Sequence, residues 1–135
     1  MSFFRENEFV EMGFDGIEVS CGIGEDGGST LRGDLPFTQG FNRESAKIIK
    51  SKVKVPIYVV GGMTDPAYME ETIENEEADY ISLCRALIID PKFPNKMKEG
   101  NRNPSRCIHC NVCLFYLATR SVRCYRGKRM KSNES

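Results

Sequence analysis

The chain has 135 residues, 40% of them hydrophobic and 28% charged, with a formal net charge of zero. Such values suit one globular domain with a modest core, and no apolar run approaches the roughly 18–20 residues of a membrane helix, which excludes a membrane span. The first residues, Met1 to Glu8, lack a basic stretch followed by a long apolar one, so no secretory signal is read and the cytoplasm is the expected compartment.

Gly16 to Ser20 (Gly-Ile-Glu-Val-Ser) reads as a first strand, followed by a Gly-rich loop from Cys21 to Gly40. A helix is predicted from about Arg43 to Lys52, capped by Asn42, with Ala46, Ile49 and Val53 recurring at helical spacing. Pro56 to Val60 is the second strand. Asp65 then caps a helix with Pro66 in its first position and Met69, Ile73 and Ala78 as its inward stripe. Tyr80 to Cys84 is the third strand, and a last helix is predicted over roughly Lys92 to Gly100. The strand-helix-strand rhythm predicts a parallel sheet with right-handed crossovers.

Three parallel strands form only part of a stable layer, because parallel sheets are covered on both faces. A complete eight-stranded β/α barrel takes about 250 residues. The expected fold class is therefore α/β, a partial (β/α)8 TIM barrel comprising about the last three strands. Residues 1–100 would form the barrel part and residues 101–135 a Cys-rich, basic C-terminal segment.

In such barrels ligands sit where strands leave the sheet at their C-terminal edge, and phosphate is often held by the last two strand-to-helix loops. Gly61-Gly62 follows the second strand and Cys84-Arg85 the third. Glycine lets backbone N–H groups approach phosphate closely, and a guanidinium adds a charge-assisted fork. The plainer reading is that Gly61-Gly62 makes a tight turn and Arg85 pairs with an acidic neighbour.

Cys107, Cys110, Cys113 and Cys124 are spaced x2, x2 and x10. Without an export signal, close spacing favours reduced thiols and metal ligation over disulfides. A [4Fe–4S] cluster suits such thiolates, tetrahedral Zn is chemically open to them, and unliganded thiols are the remaining alternative. His109, between two candidate ligands, reads as exposed or as supporting a ligand. Cys21 and Cys84 read as small buried apolar residues.

The runs Gly13 to Gly22, Val55 to Pro66, Ala78 to Pro91 and Cys107 to Cys113 resemble the C-terminal part of the old yellow enzyme family of NADH:flavin oxidoreductases, above all its 2,4-dienoyl-CoA reductase branch. The resemblance implies a barrel carrying FMN at its C-terminal mouth, with these strands as the sixth, seventh and eighth. Phosphate contacts would then fall on Gly61, Gly62, Cys84 and Arg85, with Gly22 a further candidate. It also implies hydride transfer from NAD(P)H through FMN to an activated acceptor. Iron–sulfur members use Cys-x2-Cys-x3-Cys with a fourth Cys about eleven residues on, one residue longer than this chain at two places. Family members polarise the substrate with a His-Asn or His-His pair, which is missing here, where His109 is the one histidine. No catalytic residue is assigned, and the tyrosines are read as packing or surface groups.

The leading expectation is a C-terminal fragment or subunit of an FMN-dependent ene-reductase-type oxidoreductase, inactive alone and taking NAD(P)H and a small-molecule substrate only if the barrel is completed. The alternative is a non-catalytic metal-binding (Fe–S or Zn) interaction module derived from that fold. An open parallel fragment predicts self-association or a complementary barrel chain. The zero net charge is a cancellation, net −8 over residues 1–95 and net +8 over 96–135. The basic tail, including Arg120, Arg123, Arg126, Lys128, Arg129 and Lys131, is read as a solvated terminus in preference to a nucleic-acid surface.

Overall fold

A computed structural model describes residues 6–20 and 38–126. In chain order these form α1 (Glu6–Glu11), β1 (Ile17–Val19), α2 (Arg43–Lys50), β2 (Ile57–Val60), α3 (Pro66–Glu74), β3 (Tyr80–Ser82), α4 (Arg85–Ile89), α5 (Phe93–Lys98) and α6 (Val112–Phe115). The three strands make one parallel sheet in the order β1-β2-β3, pairing Ile17 with Ile57 and Tyr58 with Tyr80. All three predicted strands are present, β1 trimmed at both ends, β2 at its start and β3 at its end. The helices α1, α4 and α6 were not anticipated, being too short to show a periodic apolar pattern.

Alternation along the strands gives the sheet two unlike faces. Ile17, Val19, Ile57, Val59 and Ile81 turn to one side, where with Ala46, Met63, Met69, Ala78, Ala86 and Phe93 they form the core. Glu18, Tyr58, Tyr80 and Ser82 belong to the other, which is open. Tyr80 is 53% exposed, its ring stacks on Tyr58 at 4.7 Å, and Ser82 Oγ donates to Glu18 Oε2 across β2 at 2.8 Å.

The two predicted helix starts differ in outcome. Asp65 accepts from the Ala67 N–H at 3.0 Å and Pro66 opens α3, as expected. Asn42 makes no side-chain cap on α2; it is buried, and its Nδ2 donates to the Val60 carbonyl at 2.6 Å. It therefore ties the loop before α2 to the end of β2. The inward stripe of α3 is Pro66, Met69 and Thr72, with Ile73 exposed instead of buried. Thr72 tolerates full burial because its hydroxyl donates to the Tyr68 carbonyl at 2.8 Å.

Helix α3 ends with Glu76 in a left-handed conformation (φ 55°), the Glu76 N–H bonding Ile73 O at 2.9 Å and the Glu77 N–H bonding Thr72 O at 3.1 Å. That paired closure is the Schellman arrangement. It buries Glu77, whose carboxylate takes Arg43 and Lys47 from α2, while Asp79 takes Lys50 at 2.5 Å and the Ile57 N–H at 2.8 Å. Charged side chains of α2 thus clasp the segment that leads into β3.

Candidate functional site

Parallel strands end at a common edge. Because Val60 pairs with Ser82, Gly61-Gly62 after β2 and Leu83-Cys84 after β3 leave that edge side by side. Gly22, the third expected contributor, lies outside the described residues, as does Cys21.

Both glycines have positive φ, 114° at Gly61 and 68° at Gly62. Their missing side chains are also demanded by packing. A Cβ on Gly61 would stand 2.6 Å from the Phe41 ring and 2.8 Å from Asn42 Nδ2; one on Gly62 would stand 2.6 Å from the Thr38 carbonyl oxygen. The Gly62 carbonyl accepts the Gly40 N–H at 3.1 Å, and Thr64 Oγ1 donates to Gln39 Oε1 at 2.6 Å. The segment 38–42 is therefore clipped onto the strand edge, its side chains crowding Gly61 and its backbone crowding Gly62, which accounts for the double glycine.

Cys84 is exposed, where a small buried residue was expected, because the chain turns at the sheet edge before α4 begins. Arg85 opens α4, and its Nη1 donates to Asn111 Oδ1. The guanidinium lines a hollow of about 20 Å³ together with Ile88, Ile89 and the cysteines 107, 110, 113 and 124. Neither Gly61 nor Gly62 lines that hollow. Arg85 thus meets the cysteine segment, and its polar partner is neither a carboxylate nor a shared pocket with the glycines.

The cysteine loop curls where His109 (φ 56°) and Asn111 (φ 58°) both adopt left-handed backbone, and Cys107, Cys110 and Cys113 are among the residues that line the hollow. Asn tolerates that region better than most residues. The thiols are free and, apart from Cys84, partly buried. Burial pushes the Cys107 and Cys113 thiols up from their ordinary value, with the Arg85 charge opposing it. Burial, and then the same charge, holds His109 down to about 4, so its ring is neutral at pH 7. Among the described residues no group of three or more His, Cys, Asp or Glu side chains stands ready to hold a metal ion.

The loop is anchored to the strand edge and closed from behind. The Ser105 N–H bonds the Thr64 carbonyl at 2.8 Å, and Arg126 Nη1 donates to the Arg106 carbonyl at 3.1 Å. Tyr125 is buried, its hydroxyl on the Ser121 carbonyl at 2.7 Å. Arg120 lies over Tyr116 at 4.5 Å and Arg123 over Tyr125 at 5.0 Å. Two arginines of the expected solvated tail are thus engaged with rings, whereas Lys128, Arg129 and Lys131 lie outside the described residues. A larger groove of about 530 Å³ between α3, β3 and α5 contains none of the expected site residues. Among the described residues no helix is long and apolar enough to cross a membrane.

Asn111 was missed by sequence reasoning. The available signal was a left-handed-tolerant residue between two closely spaced cysteines; its partner, 26 positions away, has no local signature.

Comparison with known proteins places this geometry. Residues 31–103 match the NADH:flavin oxidoreductase / NADH oxidase family, a stretch that ends before the first loop cysteine. The chain is 39% identical over 103 residues to an NADH oxidase of Thermoanaerobacter brockii, covering 76% of this chain and 16% of that protein. It is 36% identical over 84 residues to a bilirubin reductase of Clostridium symbiosum, covering 60% and 22%. With a cinnamate reductase of Clostridium sporogenes it shares 32% identity over 122 residues, covering 78% and 18%. The chain thus spans about a fifth of the length of these relatives. With its parallel strands and its matched stretch running from the segment before α2 to beyond α5, the chain belongs to the NADH:flavin oxidoreductase / NADH oxidase family.

Proposed function

We propose that this chain supplies the sector of a flavin-dependent NAD(P)H oxidoreductase in which the last strands of a β/α barrel meet the phosphate of FMN. The observation that carries the reading is the shared edge at which Gly61-Gly62 and Cys84 emerge from adjacent parallel strands. The open sheet face bearing Glu18, Tyr58, Tyr80 and Ser82 supports it, since a parallel sheet bare on one side fits the inner wall of a barrel that further strands close. A flavin bound there would supply hydride transfer between NADH and an acceptor. The part played by this chain is to seat the phosphate and to fix the edge through the clasp of 38–42 on Gly61 and Gly62. No histidine pair is available to polarise a substrate, the sequence holding one histidine in all, so reduction of a substrate requires groups contributed from outside this chain.

Titrating the full chain with FMN and, separately, with riboflavin tests the reading through flavin fluorescence. Phosphate recognition by the edge predicts FMN affinity about tenfold or more above that of riboflavin. Equal affinities, or no binding of either, would remove it.

The cysteine loop is read as an iron–sulfur site. Residues 107–124 supply four thiols, the donor type such a cluster takes, and all four cysteines line one hollow with Ile88 and Ile89, although no three of them are grouped there to hold an ion as they stand. One observation favours a second reading, a zinc-holding module without catalysis. A hollow of about 20 Å³ has room for roughly one water-sized body, closer to a single ion than to a four-iron cube. Iron with acid-labile sulfide in anaerobically purified protein supports the first; stoichiometric zinc supports the second.

A further inference from the structure

Arg85 was expected to be the side-chain donor at the strand edge, but its guanidinium donates to Asn111 Oδ1. The edge holds another polar side chain. Gln39 lies in the clasping segment 38–42, and both of its chain neighbours abut Gly62. A Cβ on Gly62 would stand 2.6 Å from the Thr38 carbonyl oxygen and 2.7 Å from the Gly40 nitrogen. The Gly40 N–H also bonds the Gly62 carbonyl at 3.1 Å, so the backbone around Gln39 is tied to the double-glycine turn.

The Gln39 carboxamide is satisfied at one end only. Its Oε1 accepts the Thr64 hydroxyl at 2.6 Å, while its Nε2 is buried with no hydrogen-bond partner among the described residues. That nitrogen carries two N–H donors and no acceptor. A buried donor left unmet costs the desolvation of the group, so an orphan of this kind marks a place where a partner is to be supplied. Thr64 sets the direction of the amide. It is 6% exposed, and its own carbonyl accepts the Ser105 N–H at 2.8 Å, so the hydroxyl that holds Oε1 is itself anchored. With Oε1 occupied and the amide planar, Nε2 is the end left for an acceptor from elsewhere.

We infer that Gln39 is a further nucleotide-binding residue, donating from Nε2 to a phosphate oxygen of the flavin nucleotide seated at Gly61-Gly62, and that Thr64 is the positioning residue that orients it. This rests on the reading of that edge as a phosphate seat. A hydrogen bond to an anion is shorter and about twice as strong as one between neutral groups, and riboflavin, which lacks the phosphate, gains nothing from it. Gln39 therefore acts on the choice between the two flavins, whereas a residue that only shapes the fold acts on both alike.

Fluorescence titrations of the full chain with FMN and with riboflavin give the ratio of the two affinities for each variant. Gln39→Met should lower the preference for FMN by about tenfold or more and leave riboflavin binding unchanged. Gln39→Glu, which keeps an acceptor for Thr64 but replaces the donor, should lower it at least as far. Thr64→Val should lower the preference, Thr64→Ser should retain it, and the Gln39→Met/Thr64→Val pair should be no worse than Gln39→Met alone. A measurement on the unsubstituted chain does not depend on any variant folding: in nitrogen-correlated NMR spectra FMN should shift the Gln39 side-chain amide signals, and riboflavin should leave them in place.

No preference for FMN in the unsubstituted chain would remove the phosphate seat and this inference with it. A preference for FMN that survives in Gln39→Met and Gln39→Glu would leave the seat standing and overturn the role of Gln39. Equal weakening of both flavins in Gln39→Met, or amide signals that ignore FMN while it binds, would overturn it as well. A loss in Thr64→Val that Thr64→Ser does not restore would overturn the positioning role of Thr64.

Discussion

Position 62 admits only glycine, and the reason is steric. With φ at 68° and the Thr38 carbonyl oxygen 2.6 Å from where a Cβ would stand, alanine strains its own backbone and displaces its neighbour's. Gly62→Ala should therefore destabilise the fold by on the order of 2 kcal/mol or more in chemical denaturation. Gly13→Ala is the informative control, since Gly13 also has positive φ (88°) but meets nothing within 4 Å. It should cost about 1 kcal/mol, the backbone contribution alone. Equal losses would mean that the clasp of 38–42 on the strand edge carries no weight. At this scale the sequence was legible for Asp65, whose capping role follows from its neighbour Pro66. It was misleading for Asn42, which has the composition of a cap and the position of a tie. The chemistry of an amide is the same in both roles; only the approach of Val60 from 18 residues away decides between them.

Among the elements, α2 and the segment entering β3 are joined by charge as well as by packing. Through its hydrogen bond, Arg43 keeps the Glu77 carboxyl below its ordinary 4.5, with Lys47 adding to the effect. Lys50, and then the Ile57 N–H, keep Asp79 below its ordinary 3.8. Both groups are depressed in the folded chain, so their contribution is fully present above the unfolded values near pH 4 and disappears as pH falls through the lower folded ones. Thermal midpoints should be level from pH 7 to 5 and decline below about 4. Glu77→Gln should lower the midpoint at pH 7 and flatten the acid decline; an unaltered slope would show that the carboxylate does not drive it. The helical period located α2 and α3 well because each is eight or nine residues long. It could not find α4, five residues that read more readily as a continuation of the turn after β3.

For the whole molecule, the strand-helix-strand rhythm made the parallel sheet readable, since each crossover is local in sequence. The return of the cysteine segment to the sheet edge was not readable, because it depends on Ser105 meeting Thr64 and Arg85 meeting Asn111, pairs 41 and 26 residues apart with no pattern linking them. The sheet itself presents one packed and one open side. That imbalance predicts association of the purified chain through the open side. Light scattering should give a mass that rises with concentration, and Tyr80→Ser should shift it toward the monomer by removing exposed ring surface. A monomer at all concentrations would argue that Glu18, Ser82 and the tyrosine pair satisfy that side unaided.

The stacked rings of Tyr58 and Tyr80 have a practical use as well. The sequence has five tyrosines and no tryptophan, so its near-ultraviolet emission is tyrosine emission, and two of the emitters lie face to face at 4.7 Å. Whatever comes to rest on them, whether further strands or a second copy, changes their hydration and hence their brightness. The protein therefore carries, in its own side chains, a label-free optical gauge of whatever covers that side of the sheet.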